Sequence, residues 1–172
     1  FFAGFLAMPM WMQLSYRVGK TRAIQIALFY GILVQSGLFF VADPGNVPMF
    51  WGYTFLYGVA YGAVPPILRS MMADVTDIDE LQSGKKRAGM FFALLTTVNK
   101  LGSAVAVGVA LSAADLVFGF VPGANNPPSA VNGLLLIYCF VPVLGLVLSY
   151  LPMLNYPLTK AKHAEIRAAL TA

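Results

Sequence analysis

Apolar residues run through this chain in long blocks, separated by short polar or glycine- and proline-rich turns. A helix needs about 20 apolar residues to cross a bilayer, and the blocks are of that size. They predict transmembrane segments at about 1–16, 23–42, 49–72, 88–118 and 131–154, followed by a tail over 156–172. The first block is short for a full span. It starts without Met and carries no basic leader region, so it reads as the end of a helix and the chain as a fragment. Asp43 to Pro48 is a turn signal, and Val121 to Ala130 is a loop rich in Pro, Gly and Asn. In the third block Gly52, Gly58 and Gly62 favour close approach of neighbouring backbones. Pro65 and Pro66 are expected to kink or break that helix. The fourth block is long enough to tilt or break near one end. Thr159 is a candidate N-cap for a short surface helix in the tail.

Composition agrees with this pattern. Of 172 residues 59% are hydrophobic and 10% charged, and the mean hydropathy is +0.74. A soluble domain carries roughly 25% charged residues. The class is an all-α polytopic membrane protein embedded in a lipid bilayer, with no room for a separate soluble domain. The net charge of +4 comes from short basic clusters between apolar blocks, which is membrane topology and not a nucleic-acid footprint. The single cysteine, Cys139, lies inside an apolar block. It offers no intrachain disulfide or zinc site, and reads as a packing residue.

Basic residues sit on alternate turns. Arg17, Lys20 and Arg22 occupy the first. Arg69, Lys85, Lys86 and Arg87 flank the third, and Lys160, Lys162 and Arg167 lie in the tail, whereas 43–48 and 119–130 have none. The positive-inside rule then places 17–22, 74–87 and the C-terminus on the cytoplasmic side of the plasma (cytoplasmic) membrane.

The chemistry concentrates in one stretch. Asp74, Asp77, Asp79 and Glu80 precede Lys85, Lys86 and Arg87 in a charged loop. Asp74 and Asp77 share a helical face by spacing. The acids are out of register for a calcium loop, so no metal is expected. Salt bridges between these acids and Arg17, Lys20, Arg22 and Arg87 form a candidate gate. Lys100 lies twelve residues into the fourth block, roughly 18 Å along a helix. A charge so deep usually faces a cavity and carries function; the alternative is a structural pair with an acid on another helix. Thr96 and Thr97 lie one turn before it and Ser103 one turn after. Tyr53, Tyr57 and Tyr61 form an aromatic stripe that lines a cavity or simply packs. His163 stands in the tail with no second His, and no nucleophile sits beside a base, so neither an enzyme nor a cofactor is indicated.

These motifs resemble a known family. The run ADVTDIDELQSGKKRAGMFF at 73–92, followed by Lys100-Leu-Gly, is similar to the signature of the glycoside–pentoside–hexuronide:cation symporters, the melibiose-carrier branch of the major facilitator superfamily. RVGKTR at 17–22 and YPLTKAKHAEI at 156–166 resemble that family's basic turn and C-terminal ending. The resemblance implies a twelve-helix, alternating-access transporter, of which this chain would be the C-terminal part, helix eight to helix twelve. It implies a small sugar-like solute moved with Na+ or H+, with Asp74 and Asp77 in the cytoplasmic gating region and Lys100 and Thr96 near the shared site. A tryptophan that shapes the sugar pocket in some members corresponds to Pro65 here. The acids that bind the coupling cation lie on N-terminal helices outside this chain, which would be its partners. Lysolipid carriers share much of the loop signature. A lysolipid solute and a non-transporting membrane scaffold are therefore the alternatives.

Overall fold

The computed structural model describes residues 2–41, 46–158 and 160–171. Among these residues it forms seven helices: α1 (Phe2–Val18), α2 (Lys20–Val41), α3 (Val47–Tyr61), α4 (Val64–Ser83), α5 (Ala88–Phe118), α6 (Pro128–Leu154) and α7 (Lys160–Thr171). Three of them, α2, α5 and α6, are long and apolar enough to cross a membrane. The expected cap Thr159, and Asp43 of the expected turn, lie outside the described residues. Asn46 at the end of that turn caps α3, its side chain accepting from the Met49 amide at 3.2 Å.

α2 is the central helix and packs on α1, α3, α4 and α6. Its Ala23, Ile24, Ala27 and Leu28 are buried against Ala7 and Trp11 of α1 and against Ala63, Ile67 and Met71 at the start of α4. α1 and α2 are joined through Gly19 alone, at φ +92, a left-handed conformation that side chains resist. α1 crosses α3 at contact distance through glycines. A Cβ on Gly62 would lie 2.3 Å from the Gly4 carbonyl oxygen, so the expected close approach occurs at Gly62, whereas Gly52 faces open space.

The segment expected over 49–72, with a kink or break at Pro65 and Pro66, is two helices, α3 and α4, divided at Gly62 and Ala63. Pro65 and Pro66 have no N–H to give Tyr61 and Gly62, and the chain turns at Gly62 and Ala63. The prolines then fall in the first turn of α4, where no donor is needed. At this helix end the Ala63 amide donates to the Ala60 carbonyl at 3.1 Å, and the Val59 carbonyl accepts from Trp11 Nε1 at 2.8 Å. The charged loop, by contrast, is corrected. Residues 74–83 contain no glycine or proline and continue α4 to Ser83, leaving Gly84 to Arg87 as the link to α5.

α5 is unbroken. It packs on α4 and α6 and leaves Leu94, Val98, Leu101, Val105 and Val109 more than half exposed. In α6, Pro142 cannot donate to the Tyr138 carbonyl. The buried Gln35 of α2 supplies the missing donor, Nε2 to that oxygen at 2.7 Å. Gln25 does the same for the Met153 carbonyl at the end of α6, at 2.6 Å.

Candidate functional site

One end of the bundle collects the charges. Because α4 extends past the apolar core, Asp74 and Asp77 stand one turn apart on a rigid helix. Asp74 is buried, 7% exposed. Its Oδ1 accepts from Lys20 Nζ of α2 at 2.5 Å, and Lys20 also donates to the Ser70 carbonyl at 3.1 Å. From α7, His163 Nε2 lies 3.2 Å from Asp74 Oδ1 and 3.0 Å from Asp77 Oδ2. Burial, and then the nearby Asp74 carboxylate, push the Tyr156 phenol above its ordinary range. A cavity of about 600 Å3 opens here, lined by Lys20, Arg22, Gln25, Asp74, Tyr156 and His163 among others.

A second pair closes the link between α4 and α5. Arg87 grips Asp79 through both oxygens, with Nε to Oδ2 at 3.0 Å. The hydrogen bond to Asp79, followed by its charge, raises the guanidinium pKa above the ordinary value. Glu80 and Lys86 are 3.6 Å apart at the surface, where such a pair contributes little. Of the predicted gate residues, the structure thus joins Lys20 to Asp74 and Arg87 to Asp79. Asp77 meets His163 and Glu80 meets Lys86. Arg17 and Arg22 are exposed, and no ion pair forms at either among the described residues. Nor do the described residues contain a His, Cys, Asp and Glu cluster fit for a metal ion.

The predicted pathway residues lie on two helices. On α5, Lys100, Thr96, Thr97 and Ser103 are all exposed. Thr96 Oγ1 donates to the Phe92 carbonyl at 2.8 Å and Ser103 Oγ to the Asn99 carbonyl at 2.9 Å. Those bonds spend the hydroxyl protons on the helix and leave oxygen lone pairs facing outward. No ion pair forms at Lys100 among the described residues. Tyr57 is half-buried and Tyr61 exposed on α3. That helix packs on α1, α2 and α4, whereas α5 packs on α4 and α6. The structure therefore groups the α5 residues with one another but does not pack them against the tyrosines.

Residues 1–160 match the family described as MFS/sugar transport protein. The chain belongs to that family. Its relatives bear out the resemblance to the glycoside–pentoside–hexuronide:cation symporters. An uncharacterized symporter of Synechocystis sp. is 31% identical over 86% of this chain and 29% of its own length. The isoprimeverose transporter of Lactiplantibacillus pentosus is 26% identical over 84% of this chain and 30% of its own. The sodium-dependent lysophosphatidylcholine symporter 1 of Gallus gallus is 27% identical over 96% and 31%. The chain spans about a third of the length of each of these three relatives. It is a multi-pass membrane protein, an all-α partial bundle of a major facilitator superfamily transporter.

Sequence reasoning missed three side chains. The sequence shows His163 only as a tail residue, whereas it reaches Asp74 and Asp77 across the fold. The only signal was a lone histidine in a helix-forming tail together with two acids at i, i+3. Gln25 and Gln35 carried a clearer one, since an amide inside an apolar block needs a partner.

Proposed function

We propose that this chain is the C-terminal part of a symporter that moves a sugar-like solute with Na+ or H+ by alternating access. The charged end of the bundle faces the cytoplasm, and N-terminal helices of the same transporter cover α5. The observation that carries the reading is α5 itself. An apolar helix whose residues 96–109 are all exposed holds Lys100 between Thr96 and Ser103 at the depth of the bilayer centre. A cation there is costly unless it faces a polar path. The exposed hydroxyl oxygens and the ammonium offer acceptors and a donor to a polyhydroxylated solute. The ion pairs Lys20–Asp74 and Arg87–Asp79 hold the cytoplasmic side closed until solute and ion binding shifts the equilibrium. No cofactor is needed, because the ion gradient drives the cycle.

A lysolipid is the second reading. It is favoured by the likeness to the lysophosphatidylcholine symporters and by the apolar residues beside Lys100. Uptake by the full-length parent in proteoliposomes tests both. Glycoside uptake that collapses when the Na+ and H+ gradients are both dissipated supports the first reading, and ion-dependent uptake of a lysolipid alone supports the second. Uptake indifferent to both gradients contradicts symport.

A further inference from the structure

The cavity at the charged end of the bundle stands where membrane meets water. α2 is one of the helices fit to cross a bilayer, and its first turn, Lys20 to Arg22, lines the cavity together with Val18 of α1 and Leu154 of α6. We propose that this cavity holds the phosphate of an anionic glycerophospholipid on Arg22, with an acyl chain of that lipid laid along α2. The inference needs the membrane-spanning fold and not the transport reading.

Two cations of the basic turn line the cavity, and the structure uses them differently. Lys20 is committed to Asp74 at 2.5 Å and to the Ser70 carbonyl at 3.1 Å. Arg22 is exposed and forms no ion pair among the described residues. The carboxylate in the lining, Asp74, is held by Lys20 and His163, which leaves Arg22 to an anion from outside. A guanidinium presents a planar fork that matches two phosphate oxygens, and basic pockets between helices at a membrane surface hold anionic head groups. A volume of about 600 Å3 gives such a group room. The remainder of α2 favours a lipid over a soluble phosphate ester. Ile26, Phe29 and Leu33 follow Arg22 at i+4, i+7 and i+11, so the four share one helix face, and all four are exposed. From Arg22 to Leu33 the helix rises roughly 16 Å, about half of a hydrocarbon core of about 30 Å, which is the depth of one leaflet. A cation at the surface followed by an apolar track one leaflet deep matches a phospholipid from head group to chain. A soluble ester would leave that track unused.

The test uses the full-length parent with native cysteines replaced and one cysteine, Val18→Cys, in the cavity wall. The protein sits in nanodiscs of phosphatidylcholine, alone or with increasing phosphatidylglycerol, and alkylation by uncharged N-ethylmaleimide is timed. Phosphatidylglycerol should slow alkylation at 18 at least about fivefold and leave Gln82→Cys, exposed at the charged end of α4, unchanged. Arg22→Gln should raise the phosphatidylglycerol fraction needed for half-protection at least about tenfold. Arg17→Gln, which removes an exposed cation outside the cavity lining, should raise it less than about fivefold. Glycerol phosphate added to phosphatidylcholine discs supplies the head group without chains and should give no protection. Protection by glycerol phosphate equal to that by the lipid would assign the cavity to a soluble ester and overturn the lipid site. Rates at 18 that ignore phosphatidylglycerol overturn it too, whether slow because another part of the parent fills the cavity or fast because nothing does. Equal shifts for Arg22→Gln and Arg17→Gln would reduce the effect to surface charge and overturn the role of Arg22.

Discussion

Removing the Asp74 carboxylate is the most informative single perturbation of the charged end. Asp74→Ala deletes the partner of Lys20 Nζ at 2.5 Å and one of the two carboxylates at His163. Breaking a fully buried pair costs about 3–5 kcal/mol, because the remaining charge is stranded; an exposed pair contributes below about 1 kcal/mol. The Asp74 side chain is 10% exposed and the Lys20 side chain 30%, and Lys20 keeps its bond to the Ser70 carbonyl. The loss should therefore fall between those limits, about 1–3 kcal/mol. If the pair exists only in the closed state, the open-to-closed ratio rises roughly 5- to 150-fold. The assay is alkylation of Ser103→Cys in the full-length parent by a membrane-impermeant maleimide applied from the charged side. The rate should rise at least about fivefold in the Asp74→Ala background. Lys20→Ala added to that background should change little further, since both substitutions break one pair. An unchanged rate, or effects of the two that add within about 0.5 kcal/mol, would refute the gate assignment.

Other consequences concern the scaffold. Gly62→Ala places a methyl 2.3 Å from the Gly4 carbonyl oxygen, against backbone that cannot yield, and should cost about 1–3 kcal/mol, read as a lower melting temperature of the purified parent; an unchanged value contradicts the close α1–α3 crossing. Gln35→Leu strands the Tyr138 carbonyl that Pro142 leaves without a partner and should cost about 1–3 kcal/mol. The same substitution in a Pro142→Ala background should cost distinctly less, because the helix then supplies its own donor. Equal costs in the two backgrounds would show that Gln35 does not serve that carbonyl.

Much of the fold was legible because a bilayer demands long apolar blocks. The sequence reading placed α5 at 88–118, as the structure does, and the tail carries a short helix as expected. The reading failed where local chemistry competed. Clustered charge suggested a loop at 74–87, yet residues 74–83 hold no helix breaker, and α4 runs to Ser83. The proline pair pointed to a kink or a break, and the helix does break, stopping at Tyr61 and restarting at Val64. The spacing of Asp74 and Asp77 exposed half of the cluster; their partners Lys20 and His163 lie 54 and 86 residues away in sequence, and no local pattern encodes such pairings. Of the three cations in the basic turn, Lys20 pairs with a carboxylate of α4, while Arg17 and Arg22 are exposed, a distinction that depends on where the turn of α2 lands against α4. The role of Gln35 depends on a proline 107 positions later, legible only once α2 and α6 are side by side.

The central claim is that the Lys100 face of α5 lines the solute path, and cysteine accessibility in the full-length parent tests it most directly. Thr96→Cys and Ser103→Cys lie on that face, while Val98→Cys and Val105→Cys lie on the opposite one. Saturating solute should slow alkylation at 96 and 103 several-fold and leave 98 and 105 unchanged, and Lys100→Ala, inserted normally in the membrane, should abolish that protection. Equal rates at all four positions with and without solute, or native protection in Lys100→Ala, would contradict it.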